Sequence, residues 1–416
     1  MALRMTGVPD APELVDLPWS VPLQEWPADR LVGLPRGISR HVVRFVRVQG
    51  SVFAVKEIGR SVAYAEYAVL RRMERLGVPS VQAIGIVDNR ASEDGEPLET
   101  ALVTRHLEFS LPYRALFSRT LRPDTAVRLL DALAVLLVRL HLTGFYWGDC
   151  SLSNTLFRRD AGSFAAYLVD AETTEVHAVL SPGQRDYDLS MARTNIIGEL
   201  MDLQAGELLD EDTDAIAIGD TIVSRYCELW QALTEPEVFR VGERHRVEAR
   251  VRRLNELGFD VAELDVDTDV EGGQVRIQPK VVDAGHHARR LLRLTGLDVE
   301  ENQARRLLND LDAFRSGDRL AREGESEQIS AHRWLTDVFH RVVQSVPREL
   351  HGKLEPAEIF HEVLEHRWYM SERAGHDTPI ADALRDYVAT VLPAKPEEKA
   401  VLGVDTEEMP VISRFD

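Results

Sequence analysis

Lysine is scarce in this chain. Only five of its 49 basic residues are lysine (Lys56, Lys280, Lys353, Lys395 and Lys399), so arginine carries nearly all the positive charge. Cysteine is scarcer still: Cys150 and Cys227 are the only two in 416 residues, which implies no disulfide framework and fits a reducing, cytoplasmic setting. Cys150, beside Asp149, suits a small buried residue better than a reactive thiol. No run of 18 apolar residues occurs, and the early Arg4 is followed by proline and acidic residues, so neither a transmembrane segment nor a secretory leader is expected. Positive charge is also short overall. The net charge of −20 opposes nonspecific association with nucleic acid or anionic lipid, and no nucleic-acid partner is expected. What is present, 44% hydrophobic residues in a length that suits two or three domains, is enough for real cores.

Lys56 is the only lysine in the first 279 residues, and it stands in an apolar run, Phe53-Ala54-Val55-Lys56-Glu57-Ile58, that reads as a strand. An ammonium kept where arginine does all other cationic work suggests a site needing a compact point charge, because the guanidinium fork differs in size and geometry. Taken alone it equally suits an edge-strand lysine reaching for water. Upstream, His41 to Val48 alternates in hydrophobicity, and Gln49-Gly50-Ser51 joins it to the Lys56 strand as a hairpin. Downstream, Val62 to Leu76 has helical apolar spacing and stops at Gly77-Val78-Pro79. Glu66 lies mid-helix. Packed back on the hairpin it would reach Lys56 and keep both groups ionised, while on an outward face it would only be solvated. Strands at Val81 to Val87 and Ala101 to Thr104, parted by the acidic loop Asp88 to Glu99, complete a small sheet, with Arg105-His106-Leu107 as a connector.

A long helix is expected over Pro123 to Leu142, with leucines at 129, 130, 133, 136, 137 and 140 on one broad face. Next comes Gly148-Asp149-Cys150-Ser151-Leu152-Ser153-Asn154. After a turn at Asp160-Ala161-Gly162, the apolar run Ala166 to Glu172 reads as a strand ending in Asp170-Ala171-Glu172. On their own, Asp149 suits a cap, Asn154 a turn and Asp170 a strand end.

The ordered set is more specific than its parts. A lysine on a strand, a glutamate on the next helix, Gly-Asp-x4-Asn and an apolar strand ending in Asp-x-Glu resembles the protein-kinase-like superfamily. The likeness is to its bacterial branches of lipopolysaccharide (Kdo-type) kinases and aminoglycoside phosphotransferases, and to an uncharacterised bacterial family joining such a core to a helical C-terminal domain. It covers about residues 30 to 230. The fold implied is α+β: a two-lobed kinase-like fold, with a small antiparallel sheet plus helix and then a mostly helical lobe, followed by a mainly helical C-terminal domain. Boundaries are expected at 1–29 (extension), 30–106 and 107–235 (the lobes), 236–393 (helical domain with a hairpin) and 394–416 (loose acidic tail).

The resemblance implies an ATP- and Mg²⁺-dependent phosphotransferase acting on an unidentified hydroxyl-bearing small molecule or glycan. Phosphoryl transfer asks a protein mainly to position reactants and neutralise charge. By this likeness Lys56 contacts the phosphates, Glu66 orients it, and Asp149 accepts the substrate hydroxyl's proton. Asn154, Asp170 and Glu172 offer hard oxygen ligands to Mg²⁺. Ser39, Arg40, Ala54, Thr104 and His106 are implied as nucleotide contacts. Asp188, in Gly183 to Ser190, is implied to support the catalytic loop, and it also suits the N-cap of a helix from Leu189 to Gln204. Trp147 stands where many relatives have His, Ser151 where others have Lys, and Pro35 to Arg40 offers one glycine. These departures keep open a kinase-like protein that holds nucleotide without transferring phosphate, and the sequence also leaves open transfer of the nucleotide itself to a protein, which reuses the same metal residues with the nucleotide reversed.

Beyond residue 235 a charged helix is expected at His245 to Leu257 and a hairpin at Val261 to Val282. Helices follow at Ala284 to Leu294, Val299 to Phe314, Glu325 to Val346, Pro356 to Glu372 and Pro379 to Leu392. Basic residues among the first two of these, including His286, His287, Arg290 and Arg305, suit either a wet helix face or a partner bearing phosphate, and a protein partner at the helical domain is one of the expectations.

Overall fold

The computed structural model describes residues 3–7, 11–32, 41–117, 122–235, 237–240, 244–256, 259–268, 274–318 and 326–399. The chain divides into two compact units: Met1–Phe157 with Ala166–Ser224 and Lys399–Asp416, and Arg158–Ala165 with Arg225–Glu398.

The first unit contains the small sheet. β1 (Arg4–Thr6), β2 (Val42–Val48), β3 (Ser51–Ile58), β4 (Gln82–Asp88) and β5 (Thr100–Arg105) lie in the order β1-β4-β5-β3-β2, with every neighbouring pair antiparallel. The β2–β3 hairpin turns at Gln49 and Gly50, whose φ values of 49° and 89° are both left-handed, as the tight turn that follows strand twist requires. β3 lies between β2 and β5, which places Lys56 opposite Val43 on one side and Leu102 on the other. Helix α1 (Arg60–Arg75) connects β3 to β4 and buries Ala63, Glu66, Leu70 and Met73.

The described residues before 30, expected as an extension, give this sheet an edge strand and part of its core. β1 pairs with β4, and Leu14, Trp19, Leu23 and Trp26 share a core with Val46, Phe53, Val55 and Val103. Arg90 ties the segment down. Only 2% exposed, its guanidinium donates to the carbonyls of Trp19 (3.0 Å), Val21 (2.8 Å) and Glu99 (2.9 Å) and to Glu57 Oε1 (2.7 Å). A planar cation with five fixed donors can satisfy four separate acceptors at once, which lysine could not.

The unit continues through β6 (Leu111–Pro112), α2 (Tyr113–Leu116) and α3 (Pro123–Leu142) to β7 (Phe145–Tyr146). β8 (Thr155–Asp160), β9 (Ser163–Leu168) and β10 (Glu175–Val176) come next, then α4 (Pro182–Ala205) and α5 (Ala215–Thr234). α3 has the expected bounds, and all six leucines of its apolar face are buried. Proline opens it at a position where a missing N–H costs nothing, and Gly144, at φ 84°, follows its end. β6, β8 and β9 form one sheet in that order, and β7 pairs with β10.

Two expectations need correction here. The strand expected to reach Glu172 ends at Leu168, because the Ala171 N–H goes to Glu66 Oε1 (3.4 Å) and the Glu172 N–H to Asp170 Oδ1 (3.0 Å) rather than to a neighbouring strand. The helix expected to open at Asp188 begins instead at Pro182. Ser181 caps it, with a reciprocal bond between the Ser181 side chain and Gln184, so Asp188 is interior rather than an N-cap.

In the second unit β11 (Glu237–Arg240), α6 (Arg244–Glu256), β12 (Phe259–Thr268) and β13 (Gln274–Ala284) contribute a three-stranded sheet in the order β11-β13-β12. The expected hairpin is there, its turn at 269–273 lies outside the described residues, and β11 was not anticipated. Then come α7 (His286–Thr295), α8 (Glu301–Asp318), α9 (Glu327–Trp334), α10 (His340–Gln344), α11 (Pro356–Ala374) and α12 (Ile380–Thr390). A π turn at Leu335–Phe339 interrupts the single helix expected over Glu325 to Val346. Leu307, Leu311, Trp334, Phe339, Phe360 and Tyr387 make the core.

The tail expected to be loose from Ala394 is ordered to residue 399. Lys395 and Glu398 are buried, the first on Glu362 (2.9 Å) and the second on Arg159 (2.6 Å), so charges that looked solvated neutralise one another inside. The remainder, 400–416, lies outside the described residues. Of the basic helix residues, His287 binds Glu301 (2.6 Å) and Arg290 binds Glu327 (2.7 Å) within the unit. Among the described residues no helix is long and apolar enough to cross a membrane.

Replacing Arg90 by Leu leaves Glu57 and three carbonyls without their shared donor. Unfolding in urea should show a loss of about 3 kcal/mol or more, and an unchanged midpoint would show that the N-terminal segment is held by apolar packing alone.

Candidate active site

The site is centred on Lys56 Nζ. Glu66 Oε2 lies 3.2 Å away, Asp170 Oδ1 and Oδ2 lie 3.1 and 3.0 Å away, and Glu172 Oε2 lies 3.2 Å away. These carboxylates come from α1 and from the turn after β9, so one ammonium joins three stretches of chain. Glu66 also accepts the Ala171 N–H (3.4 Å), and Asp170 Oδ1 accepts the Glu172 N–H (3.0 Å), which fixes the turn itself. His41 Nε2 approaches Glu172 Oε2 at 3.0 Å.

Three carboxylates on one cation leave negative charge in surplus, and the surplus shows in the titration of the group. Burial by itself would lower the Lys56 pKa, but Glu66, Asp170 and Glu172 outweigh it and hold the ammonium above its ordinary value. Burial pushes Glu66 up to about 7, with the Asp170 charge adding to the rise and Lys56 opposing it.

The second cluster surrounds Asp149. Its Oδ2 accepts from Asn154 Nδ2 (3.2 Å) and its Oδ1 from Asn195 Nδ2 (3.1 Å), so each oxygen keeps a further lone pair. Asn154 Nδ2 also donates to the Asp149 carbonyl (3.0 Å), and the Asn154 N–H reaches Ser151 Oγ (3.2 Å). With both amide contacts on Nδ2, the Asn154 side-chain oxygen has no partner among the described residues. The Asn154 carbonyl, through Val169, joins this cluster to the Lys56 cluster.

Helix α4 holds the loop between them at three levels. Asp188, fully buried, accepts the N–H groups of Trp147 and Gly148 (both 2.8 Å) and meets His141 Nε2 at 3.0 Å. Asn195 reaches Asp149 and the Cys150 carbonyl (3.2 Å). Glu199 accepts the N–H groups of Leu152 (2.6 Å) and Ser153 (3.0 Å), and burial raises its pKa. Asn195 and Glu199 were not singled out from the sequence. Their signal was present: 188, 195 and 199 share one face of a helix whose neighbours Leu189, Ala192, Ile196 and Leu200 are buried, so polar side chains there must have buried partners.

Trp147 is also accounted for. Fully buried, it donates its indole N–H to the Asp170 carbonyl (3.2 Å), while Thr173 Oγ1 donates to the Trp147 carbonyl (2.8 Å). The residue that departs from the family pattern thus bonds the loop to the Asp170 turn. Gly148, at φ 79°, passes so close to Thr173 O and the Tyr146 ring that a Cβ would lie 3.1 Å from each. Cys150 is fully buried, and burial followed by the Asp188 and Glu199 charges drives its thiol well above the ordinary range, so it is no nucleophile at neutral pH.

The nucleotide contacts expected in the sheet are less concentrated. Ala54 faces Phe45 and Thr104 across β3, and Thr104 pairs with Ala54 and Ala83. The His106 N–H is taken by the Val52 carbonyl (2.8 Å); its ring meets Phe45 edge-on, and burial lowers its pKa to about 4, so it is neutral. Ser39 and Arg40 lie outside the described residues.

Residues 44–196 match the family model described as the lipopolysaccharide kinase (Kdo/WaaP) family. The chain is kinase-like in this region. The match supports phosphotransferase activity of the kinase type and the use of ATP that goes with it. Residues 228–392 match a second model, described as a domain of unknown function (DUF4032). A solved structure titled "WaaP in complex with acyl carrier protein" aligns with 61% of this chain and 99% of its own, at 15% identity and a TM-score of 0.36. No curated protein matches the chain.

Among the described residues no three His, Cys, Asp or Glu side chains form a ready-made metal cage. Mg²⁺ keeps several waters and takes one or two protein oxygens beside substrate phosphates. The surplus charge on Asp170 and Glu172 and the unpartnered Asn154 oxygen fit such an ion.

Glu66 gives the cluster a pH dependence of known sign. Its folded pKa, about 7, lies above the ordinary 4.5, so its contribution to stability is full below pH 4.5 and is lost as pH rises through 7. In denaturation curves measured across that window, wild type should lose stability relative to Glu66→Gln as pH rises; parallel curves would show that folding leaves the Glu66 pKa unchanged.

Proposed function

We propose that this chain is an ATP- and Mg²⁺-dependent phosphotransferase of the kinase-like fold that phosphorylates a hydroxyl on a small molecule or glycan. The observation that carries the reading is the buried Lys56 ammonium, within 3.2 Å of Glu66, Asp170 and Glu172 in a region that matches a kinase family. The carboxylate charge in surplus around the ammonium suits a divalent metal, and metal and ammonium together would offset the charge of a polyphosphate.

In this reading Lys56 binds the nucleotide phosphates and Glu66 holds the ammonium in position. Ala54, Thr104, His106 and the Ser39–Arg40 turn line the nucleotide. Asn154, Asp170 and Glu172 are the protein ligands for Mg²⁺, which when bound with ATP neutralises charge developing on the phosphates. Asp149, its carboxylate oriented by Asn154 and Asn195, takes the proton of the acceptor hydroxyl as the oxygen–phosphorus bond forms and ADP departs. Asp188 and Glu199 keep the loop backbone in place. Two cysteines in 416 residues, one buried and one exposed, fit a cytoplasmic setting.

The test uses ATP labelled at the α or γ position, incubated with purified protein and fractionated cell extract. Transfer of γ label that falls by about 10²-fold or more in Asp149→Ala and is lost in Asp170→Ala supports the kinase. Binding of nucleotide with no transfer in any fraction would identify a kinase-like binding protein, and transfer of α label would identify nucleotidyl transfer. Lys56→Arg should remain folded and lose most activity, since a planar fork cannot replace a point charge among three carboxylates; full turnover in that variant would remove Lys56 from the mechanism.

A further inference from the structure

The second unit includes eight residues from the middle of the kinase-like region. Residues 158–165, the tip of the β8–β9 hairpin, form one compact unit with residues 225–398. The contacts are directional and largely buried. Asp160, 3% exposed, accepts the Gln303 N–H and the Asn302 side-chain amide, both at 2.8 Å. Glu358 accepts the Ala161 N–H at 3.0 Å and Gln303 Nε2 at 2.8 Å, and Gln303 Nε2 also donates to the Arg159 carbonyl at 3.1 Å. Gln303 itself is fully buried. The flanking Arg158 and Arg159 pair with Glu300 (3.0 Å) and Glu398 (2.6 Å).

The turn bears the mark of this hold. Ala161 has φ 49° and Gly162 φ 82°, a left-handed pair that disfavours alanine at the first position, where its Cβ crowds the backbone. The Glu358 carboxylate, by accepting the Ala161 N–H, secures that conformation from outside the hairpin. An apolar anchor would hold the tip with loose register. Hydrogen bonds to Arg159 O, Ala161 N and the Asp160 carboxylate fix both its position and its orientation.

Both strands lead from the tip to the candidate metal ligands. β8 begins at Thr155, next to Asn154, and β9 ends at Leu168, two residues before Asp170. At that base the Val169 N–H meets the Asn154 carbonyl (3.0 Å) and Thr155 Oγ1 meets the Ser151 carbonyl (2.7 Å). From Asp160 to Asn154 is about 20 Å of extended strand.

We propose that the helical domain is a positioning element for the metal-binding pair: its grip on the hairpin tip, centred on Gln303, sets the placement of Asn154 and Asp170 at the hairpin base. The proposal rests on the reading of those two residues as Mg²⁺ ligands. It gives residues 228–392 a part in the chemistry through the hairpin they hold.

The experiment is hydrogen–deuterium exchange on the full chain, comparing wild type with Gln303→Ala, together with the Mg²⁺ concentration needed for half-maximal ATP binding. Loss of the shared hydrogen bonds should speed exchange about tenfold at 150–157 and 166–172, leave 42–58 unchanged, and raise the Mg²⁺ requirement while ATP affinity at saturating Mg²⁺ is kept. Faster exchange confined to 158–163, with the base as in wild type, overturns the proposal and leaves the grip as an anchor. Should Gln303→Ala not fold, Asn302→Ala, which removes one bond to Asp160, decides in the same way. Failure of wild type to bind ATP with Mg²⁺ would overturn the metal reading, while the exchange pattern still decides whether tip and base are coupled.

Discussion

One buried ammonium holds the site together. Asp170 and Glu172, two residues apart in the chain, and Glu66, from a helix more than a hundred residues earlier, would repel one another in any arrangement that brought them so close without Lys56. Most of the first unit's construction can be read as support for that contact. β3 is flanked on both sides so that Lys56 cannot shift along the sheet, α1 packs Glu66 inward, and Trp147 and Glu66 pin the backbone on which Asp170 and Glu172 stand. The enclosing protein also raises the energetic stake: a partly satisfied cluster of charges in a low-dielectric setting costs more than an apolar core would.

The sequence was most legible where a single period or a single odd residue carried the signal. The leucine face of α3, the alternation of β2 and β3, and the isolated lysine each point to structure without help from distant chain. Legibility failed where a residue's environment is supplied from far away. The residues before 30 have no regular period, and their tryptophans share a core with strands far along the chain, where Arg90, some 70 positions later, also collects the Trp19 and Val21 carbonyls. Lys395 and Glu398 look like tail charges until Glu362 and Arg159 are beside them. Asp188 looked like a cap from the sequence and is interior to the helix instead, because Ser181-Pro182-Gly183-Gln184 is itself a complete helix start and lies seven residues upstream. The glycine-poor turn at 35–40, on which Ser39 and Arg40 were expected, lies outside the described residues.

Sequence families and compact units divide this chain differently. The two family matches occupy consecutive stretches, 44–196 and 228–392, as though the domains were simply strung together. The physical division instead assigns residues 158–165, from inside the first stretch, to the second unit. A family model follows sequence along the chain, whereas a compact unit follows who buries whom, and the polar tip of this hairpin is counted with the residues that bind Asp160 and Ala161.

α4 acts as a ruler for the loop between Trp147 and Asn154. Its three contacts at 188, 195 and 199 span about 16 Å along the axis and keep to one side only because the helix is unbroken between them. Loss of a single residue anywhere between 189 and 194 would swing the later two about 100° around the helix relative to the first. This stretch should therefore accept changes of side chain on its wet face readily, yet tolerate almost no change of length.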